Sequence, residues 1–234
     1  MKLRTRVIRV IAMGAIVLAL GGPIAGMLVL WVGSYLVPLP QALTSPEPLT
    51  MEITYRDGSP LASPASQEAR MHRPLPYTYL GNHLPRVVVA LEDHRFFSHH
   101  GVDWTGVASA LWRNARHGRL ISGASTLSQQ CIKIAEDRSS RALVPKILEI
   151  MKALKLERQW DKEQILEFHL NHVSFANRLI GAEAAAQVYF GKPAAQLELH
   201  EAVFLVALIK SPTRSNPWKY PETAAMRYRL AIHR

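Results

Sequence analysis

Three short stretches of this sequence combine residue types that can do chemistry. The first, Ala90 to Asp103, reads A-L-E-D-H-R-F-F-S-H-H-G-V-D and places Glu92 where an apolar helix runs out among aromatic rings. Desolvation in such a setting raises a carboxyl pKa and suits the group to proton transfer. The plainer reading is a capping or surface glutamate. The second, Ser122 to Lys133, reads S-G-A-S-T-L-S-Q-Q-C-I-K. A glycine followed by the hydroxyls of Ser125 and Thr126 at a helix start offers N–H and O–H donors to a phosphate, and Lys133 adds positive charge further along. A plain Ser/Thr cap is the commoner use of such a string. The third, Arg141 to Glu149, reads R-A-L-V-P-K-I-L-E and lets Arg141, Lys146 and Glu149 lie roughly on one helix face. A solvated, ion-paired face is again the commoner case.

The elements that must position these residues are mostly helices. Leu84–Leu91 suits a buried helix, with Pro85 in its first turn. Asp103 can cap a helix over Trp104–Arg113, where Val107, Ala108, Leu111 and Trp112 share a face. That face has two readings: a core helix, or a mobile flap dipping into a bilayer, since Trp favours the interface. Ser125 and Thr126 start a helix running to about Ala135, and Ala142–Trp160 is a long one. Asp161 with Gln164 makes a capping box for Asp161–Leu170. Ile180–Phe190 and Leu197–Lys210 are Ala/Leu-rich and central, and a last helix starts near Pro221. Upstream, Met51–Tyr55 alternates apolar and polar before Asp57-Gly58, which predicts a small hairpin. Ser63 to Pro76 reads as a connection without a clear period. The class is mainly α.

The chain has 234 residues, 48% hydrophobic and 20% charged, which excludes disordered and collagen-like classes and leaves room for a real core. Its single cysteine, Cys131, excludes an intrachain disulfide framework and a Cys-based zinc cluster. A formal charge of +10 leaves nucleic acid, an anionic membrane surface or an anionic substrate as partner. The first fifty residues narrow this. Lys2, Arg4, Arg6 and Arg9 precede a stretch with no charge from Val10 to Pro46, and Val10–Val32 is apolar and long enough to span a bilayer. Trp31 and Tyr35 sit where an interfacial belt belongs. The run is too long for a cleaved signal peptide, so an uncleaved anchor is expected, its basic flank cytoplasmic and the rest outside. Nucleic acid is then not expected as a partner. Pro38, Pro40, Pro46 and Pro48 make a stiff exit. The expected organisation is 1–37 flank and anchor, 38–82 linker and small β region, and 83–234 functional domain. His94, His99, His100, His169, His172 and His200 lack a metal-ligand spacing and are read mostly as surface or packing residues.

Taken in order, the motifs resemble the peptidoglycan glycosyltransferase (transglycosylase) domain, glycosyltransferase family 51, of class A penicillin-binding proteins and their monofunctional relatives. That family shows E-D-x-x-F-x-x-H-x-G, G-G-S-T-x-x-Q-Q-x-x-K, R-K-x-x-E and I-L-E-x-Y-L-N. The counterparts here are Glu92 to Gly101, Gly123 to Lys133, Lys146 to Glu149, and Ile165 to Asn171. The stretch Gly181 to Lys192 and Asn216-Pro217 also look like the family, and the anchored, Pro-rich lead-in looks most like the 1C branch.

The resemblance implies a lysozyme-like helical domain in the periplasm, held to the inner membrane by one transmembrane helix with a cytoplasmic N-terminus. It implies lipid II as substrate, attacking the growing glycan strand through its GlcNAc 4-hydroxyl to form a β-1,4 bond with release of undecaprenyl pyrophosphate. Other cell-wall synthesis proteins are further partners it suggests. On this reading Glu92 takes the hydroxyl proton, while Lys133, Arg141 and Lys146, with Ser125 and Thr126, hold the leaving diphosphate. Gln129 and Gln130 join the substrate-binding set. Glu149 matches the family's second glutamate, which is thought to help stabilise the leaving group. No cofactor is required, and the one metal the resemblance allows is a divalent cation, Mg or Mn, beside Glu149.

Several positions depart from the family. Ala124 stands for a second glycine, Ser109 for an arginine, Ile134 for an asparagine, Pro145 for an arginine and Leu148 for a lysine. Fewer cations predict a weaker diphosphate grip and a slower or specialised enzyme. Two rival readings stay open: a lysozyme-like hydrolase that cleaves peptidoglycan, and a catalytically weak scaffold that only binds lipid II. No Ser-x-x-Lys occurs in these residues, so they carry no penicillin-sensitive transpeptidase site.

Overall fold

The computed structural model describes residues 21–22, 24–45, 53–54, 56, 60–62, 71–118, 125–137, 142–177 and 179–233. After an N-terminal helix covering residues 24–36, the α-helices are α1 (His83–Glu92), α2 (Trp104–His117), α3 (Leu127–Ala135), α4 (Leu143–Gln159), α5 (Lys162–His172), α6 (Ala182–Phe190), α7 (Leu199–Ile209) and α8 (Pro221–Ile232). The mainly helical class read from the sequence is the observed one. Among the described residues no helix is long and apolar enough to cross a membrane. Residues 10–20 and 23 of the expected Val10–Val32 span lie outside the described residues.

Two small sheets accompany the helices. Strand β1 (Ile53–Thr54) pairs antiparallel with β2 (Pro60–Ala62), as the predicted hairpin requires; its Asp57-Gly58 turn lies outside the described residues. The second pairing differs from expectation. Met71–His72 (β3), inside the stretch read as a connection, runs parallel to Leu179–Ile180 (β4). The helix expected from Ile180 therefore starts at Ala182, because Gly181 turns the chain at φ +85°. A Cβ there would lie 2.6 Å from the Asn171 carbonyl oxygen, so only glycine makes this turn.

One core gathers the helices. Leu84 and Val88 of α1, Leu127 and Ile132 of α3, Leu156 of α4, and Ile165 and Leu170 of α5 are all buried in it with Leu205 of α7. α3 packs on both α4 and α5, and α1 packs on α7. The predicted capping box forms: Asp161 accepts from Gln164 N while Gln164 returns its side-chain oxygen to Asp161 N; Thr126 and Gln129 make a second box, not read from the sequence, at the start of α3. Such boxes satisfy helix N–H groups that would otherwise be buried unpaired.

The last turn of the N-terminal helix docks on α4. Gly33 lies against Met151, the Arg158 guanidinium stacks 4.1 Å from the Tyr35 ring centroid, and Lys155 Nζ donates to the Val37 carbonyl at 2.8 Å. On α5, Asn171 clamps Leu75, accepting its N–H at 3.0 Å and donating to its carbonyl at 2.8 Å, while Glu167 accepts the Tyr77 N–H at 2.6 Å.

α2 corrects one reading. Asp103 caps it as expected, accepting the Gly106 N–H at 3.0 Å, and it runs on to His117 before Gly118 ends it. The Val107/Leu111 face does not enter the core. Leu111 is 65% and Trp112 72% exposed, and Ala110 is the buried residue of this helix. The core-helix reading fails because amphipathic spacing defines an apolar face without saying what covers it.

Candidate functional site

Glu92 ends α1 half-buried, where the chain turns into Asp93 and the Phe96–Ser98 3₁₀ turn. Its Oε2 accepts a 3.3 Å hydrogen bond from Gln130 Nε2 on α3. Gln130 Oε1 in turn faces His169 Nε2 of α5 at 3.1 Å. Burial, with the charge of His172 as a lesser cause, pushes the His169 pKa down to about 4. The ring is therefore neutral at physiological pH, with one of its two nitrogens protonated.

The residue after Glu92 does a different job. Asp93 Oδ2 accepts the Leu127 N–H at 2.9 Å, at the first turn of α3, where a carboxylate is favoured by the helix dipole. His99 Nε2 stands 3.1 Å from both Asp93 oxygens. Beyond it, the buried Glu157 carboxylate accepts from Ser128 Oγ and Lys162 Nζ, and Lys162 also donates to the His99 carbonyl at 2.8 Å. Sequence reasoning gave Asp93 and Glu157 no role. Only the motif string E-D-x-x-F-x-x-H signalled Asp93 and His99, and nothing local signalled Glu157, more than fifty positions away.

At the start of α3, Thr126 is 1% exposed and donates its hydroxyl to the Gly101 carbonyl at 2.7 Å. Gln129 is buried and returns its Oε1 to the Thr126 N–H at 3.0 Å. These two expected donors thus shape the helix start. Ser125 differs: it is half-buried, and its Oγ accepts from Lys146 Nζ at 2.8 Å. Lys146 also pairs with Glu149, one turn along α4 and largely buried. Lys133 is exposed on α3, one turn beyond Gln130 on the same side of that helix. α3 thus brings both clusters together: Ser125 at its start meets the Lys146–Glu149 pair, and Gln130 in its middle meets Glu92. Arg141 lies outside the described residues.

Glu149 is a single carboxylate already holding the Lys146 ammonium, and among the described residues no three His, Cys, Asp or Glu side chains converge. A cavity of about 450 Å³ lies elsewhere, between residues 42–45, residues 74–76 and the Glu167–Asn171 side of α5; no expected site residue lines it. Cys131 is buried with its thiol pKa pushed up by burial, an unreactive packing group.

A family described as Transglycosylase matches residues 57–234. The chain is 41% identical over 159 residues to a biosynthetic peptidoglycan transglycosylase of Azoarcus sp. (strain BH72), covering 68% of this chain and 69% of that protein. It is 41% identical over 167 residues to the biosynthetic peptidoglycan transglycosylase of Aeromonas hydrophila subsp. hydrophila, covering 71% and 68%. It is also 41% identical over 152 residues to penicillin-binding protein 1A of Aquifex aeolicus (strain VF5), covering 65% of this chain but 21% of that longer protein. A family match across most of the chain, with relatives at this identity, leaves one assignment: the chain belongs to the transglycosylase family of peptidoglycan glycosyltransferases.

Proposed function

We propose that this chain polymerises lipid II, with Glu92 as the general base and the Ser125–Lys146–Glu149 cluster at the leaving diphosphate. The observation that carries this reading is that α3 meets a carboxylate at Gln130, while Ser125, the residue just ahead of its N-cap Thr126, meets the Lys146 ammonium. The reaction needs those two things at two ends of one bond.

A sugar hydroxyl is a weak nucleophile, and a carboxylate that accepts its proton in the transition state contributes about 10²–10⁴ in rate. Glu92 attacks nothing itself; it takes the proton of the lipid II GlcNAc 4-hydroxyl as that oxygen bonds to the donor anomeric carbon. The bond from that carbon to the diphosphate oxygen breaks on the other side, giving inversion and a β-1,4 link. Negative charge then grows on the leaving diphosphate. Lys146 is set to meet it with an ammonium already oriented by Ser125 and Glu149, so little reorganisation is needed as the charge develops. Lys133 and Arg141 add cationic charge in this assignment. Thr126, Gln129 and Gln130 then act on the substrate indirectly, through the helix start and the Glu92 carboxylate.

The membrane reading is part of the same proposal: Val10–Val32 anchors the chain in the inner membrane with the domain in the periplasm. Its support is the uncharged run in the sequence, the docking of Tyr35 and Val37 on α4, and exposed apolar residues on α2 and at the start of α4, where Leu143 and Val144 face outward. These surfaces suit an enzyme whose substrate carries a polyprenyl tail.

The test is to incubate the full chain separately with labelled lipid II and with finished peptidoglycan. Polymer from the first and no soluble fragments from the second is the expected result. Fragment release would support the hydrolase instead, and lipid II binding without turnover would support the scaffold.

A further inference from the structure

Position 169 does not carry the residue of the family pattern. The I-L-E-x-Y-L-N stretch has tyrosine where this chain has His169. The histidine is fully buried on α5, and its Nδ1 has no hydrogen-bond partner among the described residues. Its other nitrogen, Nε2, meets Gln130 Oε1 at 3.1 Å, and Gln130 Nε2 meets Glu92 Oε2 at 3.3 Å. Three elements, α1, α3 and α5, thus contribute one residue each to a short chain of hydrogen bonds that ends on the carboxylate.

We infer that His169 is a positioning residue for Glu92, acting through the Gln130 amide. This rests on the reading of Glu92 as the general base.

The chain of bonds has a direction. A carboxylate ready to take a proton offers only acceptors, so Gln130 must turn its NH₂ toward Glu92 and its oxygen toward α5. The opposite amide orientation would bring two acceptors together at Glu92. The Gln130 oxygen then needs a donor, and His169 is a donor at Nε2 only in the Nε2–H form. Burial keeps the ring neutral, so one nitrogen carries the proton and the other does not. The alternative Nδ1–H form would strand a buried N–H without an acceptor, and orphaned buried donors are rarer than under-satisfied acceptors. His169 therefore fixes the amide, and the amide fixes the carboxylate in the rotamer that faces incoming hydroxyl. A tyrosine at 169 would supply an O–H donor to the same amide oxygen, which makes it the conservative replacement. Phenylalanine fills similar space and supplies no donor.

The experiment compares lipid II polymerisation by the full-length wild type, His169→Phe, His169→Tyr, Gln130→Met and the His169→Phe/Gln130→Met double variant, with Glu92→Gln as control and thermal unfolding of each. The expected result is that His169→Phe lowers kcat roughly three- to tenfold, the size of one neutral hydrogen bond, with KM for lipid II and Tm unchanged. His169→Tyr restores kcat to near wild type, and the double variant is no slower than Gln130→Met alone. A His169→Phe enzyme with wild-type kcat, or a double variant in which the two losses multiply, overturns the inference. If His169→Phe does not fold, the imidazole nitrogens of ¹⁵N-histidine-labelled wild type decide it: the Nε2–H form between pH 6 and 8 supports the relay, and the Nδ1–H or doubly protonated form overturns it. The control separates the two claims. A Glu92→Gln protein that still polymerises removes the catalytic reading, whereas an inactive Glu92→Gln beside an unaffected His169→Phe removes only the role of His169.

Discussion

Thr126 Oγ1 donates a 2.7 Å hydrogen bond to the carbonyl of Gly101, joining the last residue of the glutamate motif to the N-cap of α3. Gly101 has φ +88°, and a Cβ there would lie 2.7 Å from the Ala153 carbonyl oxygen on α4. Three segments therefore meet at a point with no room for a methyl group. Gly101→Ala is expected to destabilise the protein by about 2–5 kcal/mol, from backbone strain and overpacking together. Denaturant unfolding of the full chain measures it; a loss under 1 kcal/mol would mean this junction is loose.

The Lys146 ammonium is shared between Ser125 and Glu149. Its removal takes away charge stabilisation that grows only in the transition state. Lys146→Ala is predicted to lower kcat on lipid II by about 10²–10³-fold with little change in Tm, since the side chain is partly exposed. Ser125→Ala, which keeps the cation and loses one oriented partner, should cost roughly three- to tenfold. Equal losses in the two variants would contradict this ranking.

Leu111 and Trp112 point away from the core. If they meet lipid beside the site, replacing both by serine should slow polymerisation of lipid II embedded in vesicles. The same variant should keep its Tm and its rate on a short-chain lipid II analogue in detergent. A parallel loss on both substrates would assign these residues to the fold or the groove instead.

His169 gives the stability a pH dependence of known sign. Its folded pKa, about 4, lies below the ordinary value of 6.5, so the unfolded chain binds a proton that the folded chain does not. Stability is then highest above pH 6.5 and falls as pH drops toward 4. His169→Tyr removes this contribution, and its Tm should decline less than that of the wild type between pH 7 and 4.5. A steeper decline in the variant would contradict the buried, neutral histidine.

How much was legible in the sequence follows from where each feature is stored. The family, the helical class and the Asp161 capping box are carried by local strings, because a cap needs residues only three positions apart. The pairing of β3 with β4 joins positions more than a hundred apart, and no local period announces a two-residue parallel strand. Sequence separation likewise hid Glu157, which meets His99 and Ser128 only once α4 lies along α3. Thr126 shows a further limit. A hydroxyl at a helix start suits a phosphate and a cap equally in sequence, and in the structure its proton goes to Gly101. His169, grouped with histidines read mostly as surface or packing residues, is buried, and its Nε2 sits on Gln130, a contact that requires α5 to cross α3.

The central claim is that the Glu92 carboxylate takes the proton of the attacking hydroxyl, and the most direct measurement is the initial rate of labelled lipid II polymerisation by wild type and Glu92→Gln under identical conditions. The account predicts polymer from the wild type and a rate lower by about 10²–10⁴-fold in Glu92→Gln, with unchanged Tm and lipid II binding. A Glu92→Gln protein that makes polymer at the wild-type rate would contradict it.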